Sequence, residues 1–201
     1  MSILGKRVYG TVQAAALAAA MLSAPLASAE GIKLLDQETA GSLISPLMEP
    51  ISPFVNGDAR TTTSITQLGN GNYASASVTG ESNLAVIGQA GSRNRAVQAI
   101  EGHNSAMLLV QGGSNNNVLQ ASRGDNNFQL VGVSGSNNNV GYVQVGDNLA
   151  GALDVTNASN SQVFALQTPA SGRYLMPTGL RGLQNTTVII VPGRMYVIPR
   201  R

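Results

Sequence analysis

Glycine recurs every eleven residues at Gly69, Gly80, Gly91, Gly102, Gly113, Gly124, Gly135 and Gly146, and asparagine, the side chain that best tolerates glycine's backbone angles, stands at the next interval as Asn157. A fixed short period of this kind restricts the chain to stacked repeats, in which each unit is too small to bury a face alone and depends on its neighbours. Numbering each glycine zero, position three is usually asparagine: Asn72, Asn83, Asn94, Asn116, Asn127, Asn138 and Asn160. At two intervals Asn104 and Asn148 stand one place earlier instead. Gly-x-x-Asn is turn chemistry, because both residues accept left-handed angles and asparagine bonds local backbone. What lies between turns has the length of a strand.

Alternation fills those strands. Position five carries Thr63, Ala74, Ala85, Ala96, Met107, Val118 and Val140; position seven carries Ile65, Ala76, Ile87, Leu109, Val131, Tyr142, Leu153 and Phe164. Position nine lies on the same face and holds Gln67, Gln89, Gln111 and Gln144 among Val78, Ile100, Val133 and Val155. Two units make a 22-residue rung of strand, turn, strand, turn. A buried glutamine costs free energy unless it is bonded, and stacked identical rungs supply the bond, each amide donating to its equivalent one rung along. The expected ladder residues are Gln67, Gln89, Gln111 and Gln144 with Asn72, Asn94, Asn116 and Asn138. The expected fold is all-β: a β-solenoid with two parallel sheets. Strands at the ends of such a stack can template another rung, so an end-to-end polymer of the chain with itself follows unless a cap intervenes.

Composition supports a narrow, hydrogen-bonded architecture. Of 201 residues 23 are glycine, aromatics are 4 % and charged residues 11 %, so bulky core side chains are scarce. Position six, which should face outward, nevertheless reads Val86, Leu108 and Leu130 on one half-rung and Val97, Leu119 and Val163 on the other. Contiguous exposed apolar surface marks contact sites, and these stripes are expected to pack on a partner, another filament or the chain's own tail.

The flanks differ from the repeat. Residues 1–29 read as a secretory signal: Lys6 and Arg7, then an alanine-rich apolar stretch, then Ala27-Ser28-Ala29 as the cleavage site. Without Lys6 and Arg7 the remaining basic and acidic residues balance, so the basic pI of the whole chain is no argument for nucleic acid as a partner. An exported chain with no cysteine has no disulfides to staple it. Residues 30–57, broken by Pro46, Pro50 and Pro53, are a leader, linker or N-terminal cap. The repeat runs over 58–167. Residues 168–201 hold a linker and a β-hairpin, Thr186 to Val191 and Met195 to Ile198 about Pro192-Gly193, that either covers the last rung or docks elsewhere.

Gln67-Leu68-Gly69-Asn70-Gly71-Asn72-Tyr73-Ala74, Gln89-Ala90-Gly91-Ser92-Arg93-Asn94-Arg95-Ala96 and Gln111-Gly112-Gly113-Ser114-Asn115-Asn116-Asn117-Val118 resemble the curlin repeat, whose core is Gln-x-Gly-x-x-Asn-x-Ala. Two later rungs depart from it, with Val133 and Val155 in place of glutamine. The resemblance implies a secreted subunit of curli-like functional amyloid fibres, in a major, minor or nucleating role, that serves surface adhesion and biofilm formation. It further implies export through the periplasm of a Gram-negative-type bacterium and an outer-membrane secretion pore with accessory factors. Other curlin-like subunits would be partners. The alternative is a capped solenoid that anchors an adhesin or matrix polymer at the cell surface.

Catalytic chemistry is not expected. His103 is the single histidine and lies in a turn, with no second histidine or cysteine to complete a metal site or a nucleophile–base pair. Glu81, Glu101, Asp125 and Asp147 stand at or beside turns and read as solvated charges. No cofactor or metal is implied.

Overall fold

A computed structural model describes residues 61–201. The signal and leader read at 1–29 and 30–57 lie outside the described residues. Ten strands form the regular stack: β1 (Thr62–Asn70), β2 (Tyr73–Thr79), β3 (Leu84–Ser92), β4 (Arg95–Glu101), β5 (Ala106–Ser114), β6 (Asn117–Arg123), β7 (Phe128–Ser136), β8 (Asn139–Val145), β9 (Ala150–Ser159) and β10 (Gln162–Gln167). A 3-10 turn at Pro169–Ser171, β11 (Tyr174–Leu175), β12 (Thr186–Val191) and β13 (Arg194–Pro199) follow.

The chain is an all-β solenoid. Odd strands build one sheet in the order β1-β3-β5-β7-β9-β11, and even strands the other in the order β13-β12-β10-β8-β6-β4-β2. Each strand pairs in parallel with the one a full rung away, so that Gln67 faces Gln89 and Gly69 faces Gly91. The antiparallel exception is β12 with β13, the C-terminal hairpin. That hairpin is also built into the coil. β12 pairs in parallel with β10, and β11 with β9, so the tail supplies an irregular sixth turn before β13 closes back on it.

Alternation sets the core. In β4 the inward residues Ala96, Gln98 and Ile100 are buried between exposed or half-buried neighbours, and β6 and β8 repeat the pattern. Ile87, Leu109, Val131 and Leu153 from the odd sheet meet Ala96, Val118 and Val140 from the even sheet, and Leu175, Leu180, Leu183, Val188 and Ile190 of the tail continue the same cluster.

The glycine period has a steric cause. Gly113 has φ +88°, and a Cβ there would overlap the carbonyl oxygen of Gly135 on the next rung. Stacked turns thus approach too closely for any side chain at that point. Two residues later the backbone is again left-handed, at Arg93, Asn104, Asn115, Asn126, Asn137 and Asn148. Asn104 and Asn148 serve that angle, and position three passes to Ser105 and Leu149.

The period slips once, in β9. Gly135 is in register with Ala158, not Asn157, and a bulge between β7 and β9 takes up the extra residue. Asn157 has φ +55° and belongs to the bulge. Everything after it shifts by one place: Val163 pairs with Val140, and Phe164 with Gly141. Val163, expected on the outer stripe, is therefore buried in the core, whereas Phe164, expected inside, is 45 % exposed.

Gly113→Ala is expected to cost at least about 3 kcal/mol, because the next rung must move. Gly182, left-handed with open space around its Cβ position, is the comparison; Gly182→Ala should cost only about 1 kcal/mol. Urea unfolding followed by circular dichroism checks the contrast, which equal losses would overturn.

Candidate functional site

Columns of polar side chains run along the stacking axis, one per repeated position. In the odd sheet, Gln67 Nε2 donates to Gln89 Oε1 at 2.6 Å, and Gln89 Nε2 to Gln111 Oε1 at 2.7 Å. Each buried amide also bonds backbone: Gln89 Nε2 donates to the Tyr73 carbonyl of the preceding rung at 3.2 Å, and Gln111 Nε2 to the Asn116 carbonyl of its own rung at 2.8 Å. This column ends at Gln111, where Val133 and Val155 replace the amide. A second column starts in the other sheet, where Gln144 Nε2 donates to Gln167 Oε1 at 2.8 Å and to the Phe128 carbonyl at 3.0 Å.

The asparagine column does two things at once. The side-chain amides of Asn72, Asn94 and Asn116 donate to the carbonyls of Gly91, Gly113 and Gly135 at 3.0, 2.9 and 2.9 Å. Their Oδ1 atoms accept the backbone N–H of Asn94, Asn116 and Asn138 at 3.0, 3.1 and 3.0 Å. Asn138 repeats both contacts with the Ala158 carbonyl and the Ser161 N–H. Each asparagine therefore clamps the same turn one rung on, meeting the carbonyl that excludes a Cβ. At the opposite turns Asn83 and Asn127 bind the Gly102 and Gly146 carbonyls, both at 2.7 Å, and Ser105 stands between them.

Sequence reasoning passed over a third glutamine column. Gln98 Nε2 donates to Gln120 Oε1 at 2.8 Å inside the even sheet. Their 22-residue spacing at position seven was the available signal. Gln98 Oε1 has no donor, since the preceding rung presents Ala76 there. Tyr142, read as an apolar core residue, also carries polar chemistry. Its hydroxyl donates to Gln167 Oε1 at 2.5 Å and accepts from Gln144 Nε2 at 3.2 Å, in space left by Gly151, which has no side chain. Burial pushes the Tyr142 phenol up, against the opposing hydrogen bond from Gln144.

The apolar outer stripe divides. On the odd sheet Leu108 is buried, Val86 and Leu130 are half-buried, and they cluster with Leu84, Ala106, Phe128 and Ala150; Tyr174 and Met176 of the tail pack on that cluster. On the even sheet Leu119 is exposed, Val97 is half-buried, and Val163 points inward. A groove of about 270 Å³ lies beside Leu130, Ala152 and Met176, bordered by the Asp154–Arg181 ion pair that ties the tail down.

Turn charges stack as well. Glu81, His103, Asp125 and Asp147 occupy one turn position rung after rung. His103 Nδ1 accepts the Glu81 N–H at 3.2 Å, and Asp125 Oδ1 accepts the His103 N–H at 2.7 Å. Among the described residues no group of three or more His, Cys, Asp or Glu could hold a metal ion, and no helix is long and apolar enough to cross a membrane.

The first rung differs from those behind it. Ile65 faces inward yet is 42 % exposed, and Leu68 and Tyr73 are exposed as well. Gln67 Oε1 and the Asn72 N–H find no partner among the described residues, although their equivalents at Gln89 and Asn94 are bonded by the rung before them.

Residues 62–91 match the family model of the curlin associated repeat. Searches of curated proteins and of solved structures returned no match.

Gln89→Leu strands a donor on Gln67 and an acceptor on Gln111, and should cost about 2–3 kcal/mol, against about 1 kcal/mol for Gln67→Leu at the exposed end, which strands only the Gln89 Oε1. Ala76→Gln offers Gln98 its missing donor and should gain about 1 kcal/mol. Equal losses for the two Leu variants in urea unfolding, or a loss for Ala76→Gln, would contradict these column assignments. For Tyr142 the folded phenol titrates above its unfolded value of about 10, so the stability it contributes is intact below about pH 10 and falls as pH rises further. Tyr142→Phe should be less stable at about pH 8, having lost the bond to Gln167, and should lack this part of the alkaline decline.

Proposed function

For a chain that carries the curlin associated repeat, we propose the role of a structural subunit of extracellular curli-like amyloid fibres, one that joins other curlin-repeat chains by stacking rungs rather than by catalysis. The observation that carries this reading is the in-register set of glutamine, glycine and asparagine, which bonds successive rungs and leaves the same groups on β1 and β2 without a partner among the described residues. Parallel in-register pairing with polar ladders along the axis is the geometry of a cross-β fibre. The export signal read at residues 1–29 supports delivery to the cell exterior through the periplasm. An outer-membrane pore and accessory factors belong to the same reading, as does a place in the adhesive biofilm matrix.

A second role has one observation in its favour. β13 exposes Tyr196, Val197 and Ile198 beside Arg194 and Arg200, a mixed apolar and basic edge unlike any rung. This edge suits attachment to a surface partner, with the repeats held outward.

The exported chain, mixed with a polymerising curlin subunit, should enter the sedimenting fraction with fibres that keep the 4.7–4.8 Å spacing in fibre diffraction. Recovery of the chain wholly in the supernatant, with fibres present, would overturn the subunit reading.

A further inference from the structure

The two ends of the solenoid are chemically different, and we infer that this chain closes the C-terminal end of a curlin-type stack: β1 and β2 dock on the last rung of a different curlin-repeat chain, and nothing can stack in parallel beyond β13. The inference rests on the fibre reading above and adds partner and polarity to it.

At the β1/β2 end three groups, which have no partner among the described residues, stand in one pattern. Gln67 Oε1 stands where Gln89 and Gln111 each accept a glutamine amide from the rung before. The Asn72 N–H stands where Asn94 and Asn116 donate to an asparagine Oδ1, and the Gly69 carbonyl where Gly91 and Gly113 accept an asparagine amide. One rung with Gln-x-Gly-x-x-Asn at its free edge satisfies all three. It would also cover Ile65, the inward residue left 42 % exposed there. Parallel pairing in register is already the rule of this sheet, so docking continues a geometry seen in every preceding pair.

A second copy of this chain lacks the complementary edge. In its final rungs the glutamine column has passed to Val133 and Val155, and the asparagine column to Ser161. The turn beyond is occupied: Ser159 donates to the Leu183 carbonyl, Asn185 to the Ser159 carbonyl, and the Arg200 guanidinium to the Asn160 carbonyl at 3.2 Å. The last strand of the odd sheet, β11, is only two residues long. The last strand of the even sheet, β13, runs antiparallel and ends at Pro199, which has no N–H to offer. Short strands, proline and flanking arginines are the devices by which sheet edges refuse further strands. The core is sealed at this end too, with Leu180 and Ile190 each 1 % exposed.

The test uses preformed fibres of a curlin subunit whose repeats run to its own C-terminus, and the exported chain carrying a gold label at its C-terminal residue. Gold is expected at one end of each fibre and absent from the shaft, with elongation at that end slowed by at least about tenfold. Ile65→Lys should lose end binding by at least about tenfold, because docking would bury an unpaired ammonium. Retention of fold by this variant is checked by circular dichroism, and the gold position of the unsubstituted chain decides the question by itself. Gold spaced along the shaft, gold at both ends, or fibres formed by this chain alone would overturn the capping inference while leaving the fibre reading intact. Absence of gold from the fibres altogether would overturn both.

Discussion

Everything in this fold depends on how closely one turn lies over the next. The carbonyl of one glycine stands where the preceding glycine's Cβ would be, and an asparagine amide reaches the same carbonyl from the rung before. The two features hold each other in place. Without glycine the turns separate; without the asparagine a buried carbonyl and a buried N–H lose their partners, each at about 1–3 kcal/mol. A side-chain clamp repeated once per rung supplements a core built of small and aliphatic side chains with few aromatics. It also restricts pairing to one register, since a slip by one residue would bring a Cβ onto a carbonyl and turn every inward residue outward.

The interior changes character along the axis. Near β1 the odd sheet contributes glutamines at position nine, and near β9 it contributes valines, while the even sheet changes the other way, from Val78 to Gln167. Glutamine is economical only where a like neighbour exists on at least one side and a backbone carbonyl lies across the rung. The unsatisfied Oε1 atoms of Gln98 and Gln144 mark places where a column begins after a non-amide residue. The glutamine columns are thus several short ladders, and apolar packing by Val131, Val133, Leu153 and Val155 carries the rungs where one has stopped.

Much of this was legible because period and alternation are strong, local signals. Glycine spacing placed the turns, and the two-residue pattern placed Ile87, Leu109 and Val131 inside. What escaped was set by events that leave no mark on the period. The bulge at Asn157 inserts one residue without disturbing the sequence rhythm, since asparagine takes glycine's angles there, and Val163 and Phe164 exchange faces as a result. Tyr142 escaped for another reason: its hydroxyl is bonded by Gln144 and Gln167 in space vacated by Gly151, a meeting of three strands that no single window of sequence displays. The tail was legible as a hairpin, but its first strand also serves as part of a turn of the solenoid, because Val188 and Ile190 alternate inward as the rungs before them do.

A repeat stack with two equivalent ends would be an unregulated polymer, since every free edge is a template for the next chain. Here the sequence stops repeating before the fold does. Leu175, Leu180 and Leu183 complete the core without restoring the Gln-x-Gly-x-x-Asn pattern, so the last turn is held by burial and not by the ladder that a further rung would need. β13 then spends the outer hydrogen bonds of β12 on an antiparallel partner. The stability of the C-terminal end and its refusal of further strands therefore have one cause: the same apolar tail that seals the core displaces the polar groups through which rungs recognise one another.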